Sequence, residues 1–200
     1  MFSAVDRTLY GVNVTQLAVG ALGVLLVTGE YATGVIRAIF GVEPRRLSVL
    51  GARAALYAGV TFALMLAAAS SAFLGGQMFL GSHGTDLSAP GAFQGIVGVA
   101  GYLTLIAVFA VALSFILCST AGGVATLFGL LMVVPGLGLL PPSSWQLHLL
   151  PYLPSNAGAS MIGTHTAADS LSASGGLLVL LAWVAATLAG AALLVTRRDA

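Results

Sequence analysis

The side chains able to do chemistry within the apolar part of this chain are few and neutral. Ser70, Ser71, Tyr102, Thr104 and Ser114 lie in long hydrophobic stretches. A hydroxyl becomes a nucleophile beside a base, and no Asp, Glu or His stands in those stretches. A small hydroxyl in a helix more commonly bonds its own backbone. His83, His148 and His165 fall between the hydrophobic stretches, and no Cys/His cluster has zinc spacing. Cys118 is the single cysteine, so no internal disulfide forms. The chain has no Lys, which removes the phosphate loop G-x-x-x-x-G-K-[ST]. The expectation is a chain that is not an enzyme, with no metal and no cofactor of its own.

Composition decides which elements hold these residues. Charged residues make up 6% of the 200 and hydrophobic ones 58%. Soluble domains carry roughly a quarter charged residues, and disorder needs low hydrophobicity with high charge. Both are excluded, which leaves an all-α integral membrane protein. Seven arginines nearly balance six acidic residues, so a basic nucleic-acid surface is excluded as well.

Charge-free gaps run from Thr8 to Gly29, Ala54 to Thr85, Leu87 to Ala168 and Ser170 to Thr196. A spanning helix needs about 20 apolar residues. The gaps predict one transmembrane domain over 1–200 with five spans, at about 11–28, 53–80, 93–117, 122–140 and 174–196. The segment 29–52 cannot be a sixth span. Glu30, Arg37, Glu43, Arg45 and Arg46 would together cost about 10 kcal/mol or more at mid-membrane. Arg37, Arg45, Arg46 and Arg53 lie between the first and second spans, and Arg197 and Arg198 follow the fifth. The segments 81–92 and 141–173 hold no Arg. Positive residues favour the cytoplasmic side. The Arg-bearing segment and the C-terminus are therefore expected inside, with 141–173 outside. Five spans put the N-terminus outside, and an upstream span is expected to restore the usual arrangement.

Small residues recur at helical spacing. The second span has Ala55, Gly59, Ala63, Ala67, Ser71 and Gly75; the third begins Gly91, Gly95, Gly98; the fifth has Ala182, Ala186, Gly190. Small residues let helices approach closely in lipid. Packing within the subunit is the expected use, with a subunit interface as the sharper alternative. Pro135, Gly136 and Gly138 predict a broken outer end for the fourth span. The segment 141–173, with Trp145, Leu149, Leu150, Tyr152 and four prolines, predicts short helices in the outer leaflet.

A wheel at 100° per residue over Glu30–Phe40 puts Tyr31, Ala32, Val35, Ile36, Ile39 and Phe40 within half the circumference. Glu30, Thr33, Gly34, Arg37 and Gly41 take the other side. Thr28 is positioned to cap this amphipathic helix and Pro44 to stop it. Such a helix could rest on membrane lipid, with its basic residues on phosphate. Glycines add nothing to lipid binding, however, and they let another backbone come close, which favours a docking element.

Here the sequence resembles a known family. The run Thr28-Gly29-Glu30-Tyr31-Ala32-Thr33-Gly34-Val35-Ile36-Arg37 with Pro44-Arg45-Arg46-Leu47 is similar to the cytoplasmic segment of bacterial export-type ABC permeases of the "ABC-two" class. So are Ser119-Thr120-Ala121-Gly122-Gly123, Trp145 with Pro151–Gly158, and the ending Arg197-Arg198-Asp199-Ala200. The resemblance implies a permease in the bacterial cytoplasmic membrane, a homodimer or paired with a second permease. It also implies a cytoplasmic ABC ATPase partner, with ATP and Mg bound on that partner. Glu30, Tyr31, Thr33, Gly34, Arg37, Pro44, Arg45 and Arg46 would form the ATPase interface, as a coupling helix. Two departures stand out: the family's first span is absent, and Cys118 takes a position that often carries Arg. The alternative expectation is a non-transporting anchor or assembly subunit, such as an N-terminally truncated permease.

Overall fold

A computed structural model describes residues 11–42, 46–80, 92–137, 149–162 and 171–197. Those residues build only helices and their connections. They are α1 (Val12–Ala32), α2 (Val35–Val42), α3 (Arg46–Leu80), α4 (Ala92–Leu117), α5 (Thr120–Phe128), α6 (Val134–Leu137), α7 (Pro154–Ile162) and α8 (Ala173–Arg197). A π-helical turn, Gly129–Val133, joins α5 to α6, and a 3-10 turn, Leu150–Tyr152, precedes α7. Five stretches are long and apolar enough to cross a membrane: Val12–Ala32, Arg46–Gly76, Phe93–Leu117, Thr120–Leu137 and Ala173–Arg197.

The centre of the bundle is α4. It packs on α1, α3, α5, α7 and α8, and Tyr102, Leu103, Ile106, Phe109, Ala110, Val111 and Phe115 are buried along it. Small residues make the close approach possible. A Cβ on Gly23 of α1 would lie 3.2 Å from the Ala110 Cβ and 3.3 Å from the Ala107 carbonyl oxygen. The Thr and Ser hydroxyls of α4 find their acceptors within it. Thr104 and Ser114 each donate to the carbonyl four residues earlier, at 2.7 Å, as do Ser70 and Ser71 of α3 at 2.7 and 2.8 Å. Self-bonding hydroxyls were the expected outcome.

The helices run farther than the charge-free gaps. α1 continues past Thr28 to Ala32 and carries Glu30; α3 begins at Arg46 and carries Arg53. With 35 residues, α3 is about 52 Å long, well beyond a hydrocarbon core of about 30 Å. The predicted outer break of the fourth span takes the form of the π turn. Pro135 donates no N–H and its ring crowds the carbonyl of Leu131. The wider turn opens the backbone there, and the Val134 N–H bonds back to Gly129.

The small-residue rows divide. Gly98 of α4 serves packing within the chain, where a Cβ would meet the Met161 carbonyl oxygen at 2.9 Å. Gly91 lies outside the described residues. Among the described residues, the row in α3 faces outward instead. Ala55, Gly59, Ala63, Ala67 and Ser71 are all exposed, and Gly59 and Gly75 have nothing within 4 Å of an added Cβ. The face of α3 that meets α4 is the other one, through Ala69 and Phe73.

Within 141–173, residues 149–162 and 171–172 are described; Trp145 lies outside them. The short helix α7 packs between α4 and α8. Gly158 sits against the Tyr102 ring, where a side chain has no room. Gly176 of α8 abuts the Ala157 carbonyl and the Ser160 hydroxyl. The Asn156 amide donates to the Leu150 carbonyl at 2.8 Å, and the Trp183 indole N–H donates to the Tyr152 carbonyl at 3.0 Å.

Candidate functional site

The candidate coupling segment is a helix end, a break and a second helix, not one continuous helix. Thr33 closes α1, its N–H bonding back to Gly29 and its hydroxyl to the same carbonyl at 3.0 Å. Gly34 follows with φ +74°. That left-handed conformation suits Gly because it has no Cβ to strike the next carbonyl. The chain then starts again as α2. The wheel drawn over Glu30–Phe40 therefore crosses a break and does not describe one surface. Tyr31 belongs to α1, where its ring meets Phe115 edge-on with centroids 6.0 Å apart. In α2, Ile36 is buried among Val27, Leu50, Phe115 and Val195, whereas Val35 is 44% exposed. Thr28 is no cap. It is buried inside α1 and donates to the Val24 carbonyl at 2.8 Å.

Ile36 therefore anchors α2 to the end of the bundle, and the opposite face is open. Thr33, Ala38 and Gly41 are exposed, and neither Gly34 nor Gly41 has anything within 4 Å of an added Cβ. Arg37 belongs to α2 by its backbone. Glu43, Pro44 and Arg45 lie outside the described residues.

Polar contacts fasten the elements at this end. Glu30 of α1 pairs with Arg53 of α3, each about one quarter exposed. The second Glu30 oxygen is buried and accepts no hydrogen bond among the described residues. Arg46 opens α3 and donates through Nη1 to the Val195 carbonyl at 3.3 Å, in the last turn of α8. Cations suit that position, because the final carbonyls of a helix lack intrahelical donors. Thr120 of α5 donates to the Thr28 hydroxyl at 2.8 Å. The start of α3, the end of α8, the end of α1 and the start of α5 thus meet at one end of the bundle, where Arg46 and Arg53 make their contacts.

The turn between α4 and α5 is held locally. Cys118 has φ +50°, an unusual conformation for a residue with a side chain. Ser119 is extended and caps α5, its hydroxyl accepting from the Gly122 N–H at 3.3 Å. This is the capping role that the Ser119-Thr120 motif performs.

A second polar set lies toward the other end, and sequence reasoning found only half of it. Tyr102 of α4 is buried and donates to Oε1 of Gln16 on α1, itself 4% exposed. Gln16 in turn reaches Asn13 at 3.5 Å. An amide inside an apolar span is expected to face the bundle interior, so Gln16 itself was the available signal. The pair joins two helices and satisfies both polar groups. Among the described residues no three His, Cys, Asp or Glu side chains come together. His83, His148 and His165 lie outside those residues. No protein-family model, curated protein or solved structure matches the chain.

Proposed function

We propose that this chain is the membrane subunit of an ATP-driven exporter in the bacterial cytoplasmic membrane, moved by a separate ABC ATPase that docks on α2. The observation that carries this is the break at Thr33–Gly34. It makes α2 a short, separate helix at the Arg-bearing end, seated by Ile36 and open through Thr33, Gly34, Ala38 and Gly41. A lever needs that form: one face fixed to the spans, the other free to receive a push. Force on α2 passes through Ile36 and Tyr31 to Phe115 of α4. It also passes through α1 to Arg53 of α3. ATP binding and hydrolysis on the partner then bias two packings of one bundle.

The tendency of positive residues to stay inside supports reading this end as cytoplasmic, with the C-terminus beside it and α7 on the outer side. The outward row of α3 offers a close-packing face for a second permease copy.

The test is co-purification of the chain with its ATPase. Gly41→Trp adds bulk where nothing packs and should abolish the complex while leaving the bundle's unfolding temperature unchanged. Unimpaired ATPase capture by this variant would contradict docking on α2.

A further inference from the structure

The surface between α1 and α3 carries an apolar cavity of about 350 Å³. Val19, Leu22 and Leu26 form one wall and Leu56, Val60 and Leu64 the other. Tyr57 also lines it, with its hydroxyl directed to the Leu22 carbonyl at 3.4 Å. Leu22, Leu26, Leu56, Val60 and Leu64 are each about half exposed or more, so the groove opens outward. One helical turn beyond each wall stands a charge. Glu30 follows Leu26 by four residues, and Arg53 precedes Tyr57 by four; the two are paired.

We propose that this groove seats an acyl chain of one glycerophospholipid, with the lipid phosphate held at Arg53. Length supports that occupant. From Leu56 to Met65 the wall rises about 13 Å, close to the ~15 Å depth of one leaflet's hydrocarbon. The charged pair then falls at headgroup depth and the apolar slot at chain depth. Donor geometry supports it too. A guanidinium has five N–H donors in a planar fork that fits a phosphate. The contact to Glu30 is made through Nη1, and the Arg53 side chain is one quarter exposed. The site stands independently of the export proposal and requires only that the bundle be embedded in lipid.

The experiment uses the full chain in phosphatidylcholine nanodiscs doped with a phosphatidylglycerol carrying a photoreactive diazirine in its acyl chain. Cross-links should concentrate on peptides of α1 and α3 over the exposed face of α8 at Leu178 and Leu193, by about fivefold or more. Val60→Trp, or Leu22→Trp from the other wall, should remove that excess and leave the α8 signal alone. Unlabelled phosphatidylglycerol should compete, and diacylglycerol, which lacks the phosphate, should not. Even labelling of all exposed helices would overturn the site. So would unchanged labelling in both Trp variants, or equal competition by diacylglycerol. Val60→Cys oxidising to a covalent dimer, with no lipid cross-link, would assign the groove to a second copy instead.

Discussion

At the scale of single residues, the close contacts are made by glycine where a side chain would collide, and by polar groups that find partners nearby. Gly158 is the sharpest case, because its backbone lies on the face of the Tyr102 ring, which donates to Gln16. Gly158→Val should push α7 off α4 and destabilise the protein by about 1–3 kcal/mol, the usual range for overpacking. Gly59→Ala, at an open helical position, should leave stability unchanged or raise it by up to about 1 kcal/mol. Thermal unfolding in detergent measures both. Equal losses would show that the Tyr102 contact is not what limits this position. The hydroxyls teach a second lesson. Ser70, Ser71, Thr104 and Ser114 are the polar groups most suggestive of chemistry in the sequence, and each bonds its own helix.

At the scale of elements, the spans were legible because charge is so costly in lipid that its absence marks them. The ends were not, because a helix can run on past the hydrocarbon wherever its charges find partners. Glu30 and Arg53 extend α1 and α3 in this way, each neutralising the other. The break at Gly34 was hidden for a related reason: periodicity continues through Thr33 and Gly34, and only backbone dihedrals show the left-handed residue. The partnership of Gln16 with Tyr102 needed the packing of α1 on α4, which no spacing within either helix states. The ion pair yields a prediction for this scale. Glu30→Gln and Arg53→Gln should each destabilise the protein, and the double variant should lose little more than either single one. A coupling of about 1 kcal/mol is expected for a partly exposed pair. Additive losses, measured by denaturant unfolding, would mean that α1 and α3 are not joined through this contact.

At the scale of the whole molecule, the bundle is polarised. One end gathers Glu30, Arg53, Arg46 with the α8 terminus, and the exposed side of α2. The outer face of α3 presents a line of small residues, and the side between α1 and α3 presents the groove. Membrane residence was readable from composition alone, because a chain with 6% charge lacks the means to solvate a globular surface. The division of labour between faces was not, since small residues at helical spacing serve internal and external contacts equally well. On the transport proposed above, motion would begin at α2 and reach α7 through α4, which touches both α2's anchoring cluster and α7.

The most direct test of this arrangement is the side of the membrane on which α2 stands. Ala38→Cys in a Cys118→Ser background places one thiol on the exposed face of α2. A membrane-impermeant maleimide should label it in inverted vesicles and not in intact cells, and the bound ATPase should protect it. Labelling from outside intact cells would contradict the account, because α2 would then face away from any nucleotide-driven partner.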